Sequence, residues 1–372
     1  MITLALVLLI LLFVHPFVLY PLILRLAPTR REAAGAAEPE VALVICALNE
    51  EKVIREKLEN SLALDYPEGK LTVYVVNDGS TDRTGAIARE FVPRGVRLID
   101  RPERRGKVRN LNEVVGGLRE EVVALSDANV IYDKQAIRRL VTRFSDPKVG
   151  CVSGKVILTG TTGDLMQGEE SYYSVEWFLQ EKGSAIYSMC GADGAMYAFR
   201  RRLFVECPND TLIEDFVLPM SITRKGYRAV FEPEAKAWEQ GPASIHEEFR
   251  RKVRIAAGAA QALVRGNGLP GNCPAGFWFV FVSHKLLRWL SPVTGLAILA
   301  VALASPGLWL SRLVLAGFGA LAGLASIRWA TGWSLAPLNA PFYFLFGQIA
   351  VAYGLVKGLL GKQSVLWAKA NR

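Results

Sequence analysis

Charge along this sequence is confined to its middle, and both ends are apolar enough to enter a membrane. Residues 1–24 carry no charged side chain, and further uncharged runs cover 289–311, 313–327 and 329–356. About 20 apolar residues in a helix cross the roughly 30 Å core of a bilayer. We therefore expect one transmembrane anchor at the amino end and two to three transmembrane helices at the carboxyl end.

The basic residues beside the first apolar run distinguish an anchor from a cleaved signal peptide. Arg25, Arg30 and Arg31 follow the run, whereas a signal peptide carries its bases in front of it. The small residues AAGAA at 33–37 would suit a peptidase, so cleavage is the alternative reading. We favour an uncleaved anchor, with the amino terminus outside and the chain from residue 25 onward in the cytoplasm, because positive charge stays inside.

The number of carboxyl-terminal spans stays open at this point. The segment FVSHKLLRWLSP at 281–292 alternates basic and apolar residues at helical spacing, which is typical of a helix in the membrane interface. Three later spans would place the basic tail 361–372 outside, against the charge rule, and two would place it inside.

The net charge of +9 does not favour a nucleic-acid partner. No acidic residue follows Glu248, whereas thirteen basic residues do, so the positive excess lies beside the apolar runs and favours contact with membrane lipid. Residues 32–248 are net acidic, as in many soluble domains. The five cysteines show no C-x-x-C spacing, which indicates reduced cytosolic thiols and no zinc site.

Between the flanks, buried strands alternate with helices. Buried apolar runs predict strands at 41–47 and 71–78, further strands are predicted at 96–101 and 121–130, and helical periodicity marks 50–64 and 107–118. This alternation predicts a mostly parallel sheet with helices on both faces. Ligands of such sheets lie outside the carboxyl ends of the strands. The polar residues at those ends are Asn49, Glu50, Asp78 and Asp127.

The stretch ALSDANVIYD at 124–133 contains a candidate metal site. Asp127 and Asn129 alternate along an extended segment, so both side chains can face one ion. Mg²⁺ and Mn²⁺ prefer oxygen ligands and often need only one or two from the protein, with the rest supplied by phosphates and water. Because Asn129 supplies no charge, we expect a weak site that depends on substrate phosphates.

Three further segments have both a structural and a functional reading. Asp78 in NDGS suits an ordinary turn, or it could accept hydrogen bonds from a nucleobase or ribose. Glu214 and Asp215 suit the start of a helix, or one of them could be a general base. The bases of 248–263 suit anionic lipid, or Arg254 could stabilise a departing diphosphate. Cys190 is expected to pack rather than to act as a nucleophile.

In their order along the chain, these pieces resemble the membrane-integrated inverting glycosyltransferases of family 2, which include cellulose, hyaluronan and poly-N-acetylglucosamine synthases. The resemblance is carried by ALNE (47–50), NDGSTD (77–82), GKVRNLN (106–112), SDAN (126–129), CGADGAMYAFRR (190–201), IEDF (213–216) and RRKVR (250–254).

The resemblance implies an α/β fold of the GT-A type, Rossmann-like with a mostly parallel sheet, as a cytoplasmic domain flanked by transmembrane helices. It also implies that a sugar is transferred by direct displacement from a nucleoside-diphosphate sugar to a polysaccharide or a lipid-linked glycan. We expect the donor to be a UDP-sugar. The nucleotide-sugar site would contain Asn49, Glu50, Asp78, Gly79, Lys107, Asp127 and Arg254. Asp127 and Asn129 would hold Mg²⁺ or Mn²⁺, Cys190 and Gly191 would lie along the acceptor, and Asp215, beside Glu214, would be the base.

The sequence departs from the family pattern at three positions. Asn129 replaces an aspartate, Ile213 replaces a common threonine, and Ile255 replaces the tryptophan of the Gln-x-x-Arg-Trp motif of polymerising members. The last change puts processive synthesis in doubt and leaves single or few-step transfer open. A membrane scaffold that binds nucleotide without transfer is the alternative function. A transporter is not favoured, because no paired charges lie inside the apolar runs.

The expected domain organisation follows from these observations. The predicted segments are an anchor at 1–26, a linker at 27–40, the GT-A domain at 41–248, basic interfacial helices at 249–288, transmembrane helices at 289–360 and a basic tail at 361–372. An oligomer or partner subunits are compatible with this arrangement.

Overall fold

The computed structural model of the chain describes residues 1–27, 35, 38–160, 164–242, 244–333 and 335–364. The AAGAA stretch apart from Gly35, most of the predicted linker and the tail beyond residue 364 lie outside the described residues.

The described strands belong to one sheet. In chain order they are β1 Val41–Ala47, β2 Leu71–Asp78, β3 Arg97–Arg101, β4 Val122–Asp127, β5 Val130–Tyr132, β6 Val149–Thr159, β7 Met196–Arg200 and β8 Arg228–Gln240. Their order across the sheet is β3-β2-β1-β4-β7-β6-β8-β5. Strands β1 to β4 run parallel, as the sequence predicts. Beyond β4 the sheet is mixed, because β7 runs antiparallel to both β4 and β6, and β5 runs antiparallel to β8.

Helices cover both faces of the sheet and extend from both ends of the domain. The described helices are α1 Ile2–Val14, α2 Tyr20–Leu26, α3 Ile54–Leu62, α4 Thr84–Glu90, α5 Lys107–Gly117, α6 Ala136–Thr142, α7 Asp164–Ile186, α8 Glu214–Arg224, α9 Ile245–Val264, α10 Ala275–Phe281, α11 Leu287–Ala304, α12 Trp309–Thr331 and α13 Ala336–Leu359. A π-helical turn joins α1 to α2, and another joins α10 to α11.

Both faces of the central strands are buried, which explains their uninterrupted apolar runs. Along β1, Val41, Leu43 and Ile45 belong to the core on one face, and Ala42 and Val44 to the core on the other. A strand with a solvated face would alternate apolar and polar residues instead. The sheet therefore lies in the middle layer, and its polar residues are displaced to the strand ends.

Among the described residues, four helical segments are long and apolar enough to cross a membrane: Ile2–Leu26, Ala275–Ala304, Trp309–Thr331 and Pro337–Leu359. Three of these four segments therefore follow the α/β domain in the chain. The segment 281–292 is not a separate helix, since it runs through the π-helical turn into the first of these three. The predicted boundary at 288 thus falls inside a continuous helix.

A charged cluster explains how basic residues fit into that continuous helix. The Glu176 carboxylate of α7 accepts hydrogen bonds from Lys285 Nζ at 2.8 Å and Arg288 Nη1 at 2.8 Å. His284 Nε2 lies 3.1 Å from the same carboxylate. A carboxylate of the α/β domain thus neutralises basic residues that the sequence pattern predicted to face lipid headgroups.

Helix α9 packs between the α/β domain and the last apolar helix. A methyl group on Gly354 would lie 2.5 Å from the carbonyl oxygen of Val253, and one on Gly358 would lie 2.4 Å from that of Ala257. The two backbones can approach this closely only because neither glycine has a Cβ. On the side of α9 that faces the α/β domain, a methyl group on Gly258 would lie 2.8 Å from the side chain of Ile213, so Ile213 packs directly against the helix backbone.

Candidate active site

Strand register brings three polar strand ends together. Cys46 of β1 is paired with Val76 of β2 and with Asp127 of β4, and Ala47 is paired with Asn77. Asp78 and Asp127 therefore flank the carboxyl end of β1. This is the sheet edge at which the sequence predicted a ligand site.

Lys107 joins two of the predicted site residues. It is the first residue of α5, and its ammonium lies 2.9 Å from Asp127 Oδ1 and 2.8 Å from Glu214 Oε1. Burial lowers the pKa of Lys107, but the two carboxylates outweigh it and hold that pKa well above its usual range. Lys107 therefore carries a fixed positive charge between the end of β4 and the start of α8.

Asp78 is buried and bonded to the loop that precedes α5. Its carboxylate accepts hydrogen bonds from Arg105 N at 2.6 Å, Gly106 N at 2.9 Å and Asn110 Nδ2 at 2.7 Å. These hydrogen bonds agree with the interpretation of Asp78 as a residue that stabilises a turn. The nucleobase contact stays a prediction. Gly79 has φ +68°, and a methyl group there would lie 2.5 Å from the backbone of Arg104, so only glycine fits this turn.

Asn49 and Glu50 bind the loop after β1 to the loop after β2. Asn49 has φ 57°, and its Oδ1 accepts a hydrogen bond from Thr81 N at 2.7 Å. The backbone N–H groups of Asn49 and Glu50 donate to Ser80 Oγ at 2.8 Å and Thr84 Oγ1 at 2.7 Å. Both residues thus line the same sheet edge, and their contact with a nucleotide sugar stays a prediction.

Glu214 and Asp215 form the first turn of α8, where the helix dipole favours acids. Removal from water and the neighbouring Glu214 carboxylate raise the pKa of Asp215 to about 6. Lys107 and Arg254 act in the opposite direction. At neutral pH the Asp215 carboxyl is therefore mainly ionised, yet basic enough to accept a proton.

The loop between α7 and β7 lies against the Asp215 carboxylate. Ala192 N donates to the backbone oxygen of Asp215 at 2.8 Å, and a methyl group on Gly194 would lie 2.7 Å from Asp215 Oδ2. Gly191 has φ +80°, and a side chain there would meet Phe216 at 2.9 Å. The small residues of this loop therefore give the backbone close access to the carboxylate.

Cys190, in the same loop, packs into the hydrophobic core. Its side chain is buried, and burial raises the pKa of its thiol to about 12. A neutral thiol in this environment is not an activated nucleophile, which agrees with the packing role expected from the sequence. Contact of Cys190 or Gly191 with an acceptor stays a prediction.

Asp193 and Glu239 were not identified from the sequence as site residues. Burial and the Glu239 carboxylate raise the pKa of Asp193 to about 7, and the charges of Asp215 and Asp127 add to the effect. Asp193 lies in the stretch CGADGAMYAFRR (190–201), which carries part of the family resemblance but in which no role was assigned to this aspartate. Glu239 lies in β8, far along the chain, and no local pattern marks it.

Asp127 and Asn129 have the donor chemistry that a hard divalent cation needs. Asn129 Nδ2 donates to Glu239 Oε1 at 3.0 Å, so the amide oxygen is the atom suited to a cation. Within the described ranges, no group of three or more His, Cys, Asp or Glu side chains could hold a metal by itself. These residues fit a cation that takes most of its ligands from a diphosphate and water.

Arg254 of α9 is the predicted site residue contributed by the basic helix. Its Nη1 donates to Leu212 O at 3.0 Å, and its charge lowers the pKa of Asp215. Arg251 lies one turn earlier. Its Nε is 2.7 Å from Glu248 Oε2, and its Nη1 donates to Tyr173 Oη at 2.8 Å. The positive charge of Arg254 therefore contributes to the electrostatics of Asp215.

Comparison with known proteins gives three results. Residues 39–258 match the protein family described as glycosyltransferase like family 2. A Bacillus subtilis (strain 168) protein named probable glycosyltransferase YdaM is 30% identical over 231 residues, which cover 59% of this chain and 55% of that protein. A poly-beta-1,6-N-acetyl-D-glucosamine synthase of Staphylococcus aureus (strain COL) is 26% identical over 231 residues, with 60% and 56% covered. The chain thus spans little more than half the length of these curated relatives.

Among solved structures, the mannosyltransferase PcManGT from Pyrobaculum calidifontis, in complex with GDP-Man and Mn²⁺, matches with a TM-score of 0.77 at 23% identity. The match covers 98% of this chain and 100% of that one. It confirms the predicted α/β fold of the GT-A type.

Proposed function

The chain belongs to glycosyltransferase like family 2, and from this premise we propose that it transfers a sugar from a nucleoside-diphosphate sugar to a glycan or lipid-linked acceptor with inversion at the anomeric carbon. The observation that carries the proposal is the position of Asp215. A carboxyl with a pKa of about 6 stands beside Lys107 and Arg254, whose charges bear on it, at the edge where ligands of such sheets bind.

The proposed reaction is a single displacement. Asp215 accepts the proton of an acceptor hydroxyl as that oxygen forms a bond to the anomeric carbon. The bond from this carbon to the diphosphate oxygen breaks on the opposite face, so an α-linked donor gives a β-linked product. The nucleoside diphosphate leaves with the electron pair of the broken bond, and the proton remains on Asp215 until solvent removes it.

Two fixed positive charges would stabilise the leaving diphosphate. Lys107 is held at the end of β4 by Asp127 and Glu214, and Arg254 approaches from α9. Preorganised charges of this kind lower the barrier because they need no reorganisation during the reaction. Asp127 and Asn129 would hold Mg²⁺ or Mn²⁺, which would neutralise further charge on the diphosphate.

The donor we propose is a UDP-sugar, in keeping with the resemblance to poly-N-acetylglucosamine synthases. GDP-mannose is the second donor to test, since the structurally similar PcManGT was solved with it. Ile255 in place of a tryptophan favours transfer of one or a few sugars over processive synthesis.

The proposed location is the cytoplasmic face of a membrane. Four apolar helices are available to hold the protein there. Arg25, directly after the first apolar run, supports this orientation, because basic residues next to a membrane span tend to stay in the cytoplasm. A protease added to sealed vesicles of known orientation would test this location, because a cytoplasmic domain is cleaved only when that face is exposed.

A membrane scaffold that binds nucleotide without transfer is the second candidate. Asn129 favours it, because the position carries no charge and its amide is hydrogen-bonded to Glu239. It predicts thermal stabilisation by nucleotide without any sugar transfer.

The deciding experiment is a donor screen with the purified full chain in detergent and either Mn²⁺ or Mg²⁺. UDP- and GDP-linked sugars are offered with glycan and lipid-linked acceptors, and the released nucleoside diphosphate is measured. We expect release with one donor class and its loss in Asp215→Asn, followed by sizing of the product. Stabilisation by nucleotide without release across the whole panel would favour the scaffold.

A further inference from the structure

Lys57 is a buried amine that the proposed reaction does not use. It lies on α3 with 0% of its surface exposed, and among the described residues it forms no ion pair. Its ammonium donates to Ser126 Oγ at 2.7 Å and to Val130 O at 2.6 Å, and it lies 4.0 Å from the centre of the Tyr132 ring. The three N–H bonds of the ammonium thus have two oxygen acceptors and one aromatic face.

Burial without a carboxylate partner is costly for an amine. Burial lowers the pKa of Lys57 to about 7, although the Asp127 charge acts in the opposite direction. An apolar side chain such as methionine would fill a similar volume without this cost. The contacts of the ammonium therefore need an explanation other than packing.

Those contacts enclose the turn that contains the candidate metal ligands. Ser126 directly precedes Asp127, and Val130 directly follows Asn129. One ammonium therefore holds both ends of the Asp127-Ala128-Asn129 turn. Ser126 Oγ also lies 3.2 Å from the backbone oxygen of Asp127, which extends the hydrogen-bonded chain into the turn.

We infer that Lys57 is a positioning residue that fixes the Asp127-Ala128-Asn129 turn from behind, so that Asp127 and Asn129 can hold a divalent cation with a nucleoside diphosphate. The inference rests on the proposed function, because it assumes that these two residues bind the cation. It assigns Lys57 no contact with substrate. Groups that orient metal ligands typically change metal affinity about 10- to 100-fold when they are removed.

The inference predicts the direction in which the affinity for Mn²⁺ changes when Lys57 is replaced. A positive charge behind the turn would repel a cation, so if charge alone mattered, Lys57→Met would tighten Mn²⁺ binding. If positioning dominates, the same substitution weakens binding, because the two ends of the turn lose their common anchor.

Asn60 provides a matched control on the same helix. Its side chain also makes two hydrogen bonds to the segment after the turn, from Nδ2 to Tyr132 O at 2.8 Å and to Oδ1 from Tyr132 N at 2.9 Å. Asn60→Ala therefore loosens α3 from β5 without removing a contact to Ser126 or Val130. It shows how much a loss of stability alone changes Mn²⁺ binding.

The experiment is a titration of the full chain in detergent with Mn²⁺, with UDP or GDP present, followed by the electron paramagnetic resonance signal of free Mn²⁺. We expect Lys57→Met to weaken Mn²⁺ binding by about 10-fold or more and Asn60→Ala by less than about 2-fold. In the transfer reaction, excess Mn²⁺ should restore the rate of Lys57→Met but not that of Asp215→Asn.

Ser126→Ala decides the question if Lys57→Met does not fold. It keeps the lysine and removes one acceptor, so we expect Mn²⁺ binding a few-fold weaker than in the wild type. Unchanged or tighter Mn²⁺ binding in a folded Lys57→Met, or unchanged binding in Ser126→Ala, overturns the inference.

Asp127→Ala separates this inference from the proposed metal site. Binding that is lost in Asp127→Ala but unchanged in Lys57→Met overturns only the role of Lys57. If the wild type itself binds no Mn²⁺ with either nucleotide, the proposed metal site and the role of Lys57 both fall.

Discussion

Two buried charged clusters in this protein have opposite compositions. At the sheet edge, Lys107 is a single cation that contacts Asp127 and Glu214, with Asp215 nearby. At the junction with the apolar helices, Glu176 is a single carboxylate that contacts Lys285 and Arg288, beside His284. The first cluster has an excess of acids and the second has an excess of bases.

The two clusters differ in how far the charges of their carboxylates are already compensated by neighbouring residues. Burial and neighbouring acids leave Asp215 and Asp193 with pKa values of about 6 and about 7, so a cation or a proton can still stabilise the sheet edge. The bases hold the pKa of Glu176 well below its usual range in spite of burial, so this carboxylate is already compensated. We therefore interpret the cluster at the sheet edge as a ligand-binding and reactive site, and the cluster at the junction as an ion-pair network that stabilises the fold.

The largest expected effect is on stability, at the junction. Glu176→Gln leaves Lys285 and Arg288 without their carboxylate in a largely buried site, which should lower the free energy of unfolding by about 3–5 kcal/mol. We expect a lower melting temperature in detergent and an almost unchanged rate per folded molecule.

Glu90→Gln is the matched control for that substitution. It removes an exposed ion pair with Arg55, in which both side chains are about half exposed, and should change stability by less than about 1 kcal/mol. Loss of activity in Glu176→Gln at unchanged stability would contradict the division between the two clusters.

Lys107→Met should have the next largest effect, this time on catalysis. It removes the fixed positive charge beside the proposed diphosphate position, and we expect kcat to fall about 10²- to 10³-fold. Because Lys107 lowers the pKa of Asp215, the pH at which activity appears should also rise. A kcat within a few-fold of the wild type would show that the charge of Lys107 is not used.

Gly194→Ala tests the position of the base. The added methyl group would lie 2.7 Å from Asp215 Oδ2, so the carboxylate must move, and a displacement of this kind should cost about 10- to 100-fold in kcat/KM. Gly116→Ala in α5 is the control, because its methyl group would meet no atom within 4 Å. Equal activities of the two variants would show that transfer does not depend on the position of the Asp215 carboxylate.

The smallest effect is the pH dependence of the wild type. Because the pKa of Asp215 is raised to about 6, the base is ionised above this value and protonated below it. The transfer rate should therefore fall about tenfold for each pH unit below 6 and level off above it. A rate that stays flat from pH 7 to pH 5, at saturating metal, would exclude Asp215 as the base.

The sequence predicted the elements that have one dominant local signal. Strands β1, β2 and β3 and the helix that begins at Lys107 lie where their patterns indicated. The strand predicted at 121–130 instead ends at Asp127, and a turn at Ala128 and Asn129 separates it from β5, so Asp127 and Asn129 do not alternate along one extended strand. The mixed second half of the sheet was not predicted, because β6, β7 and β8 are paired across long separations that no local period records. Lys57 was missed for the same reason, since its burial depends on contacts with Ser126 and Val130, about 70 residues away.

By itself, the sequence determined the separation of apolar ends from a charged middle, the parallel strands and the residue types at their ends. These features follow from the local periods of apolar residues and from the cost of placing charge in a membrane. Only the tertiary structure decided which of those residues meet. Strand register set Asp127 beside β1, and Lys107 joined it to Glu214. Charges far apart in the chain change one another's pKa only after folding has brought them within a few ångströms in a dry environment.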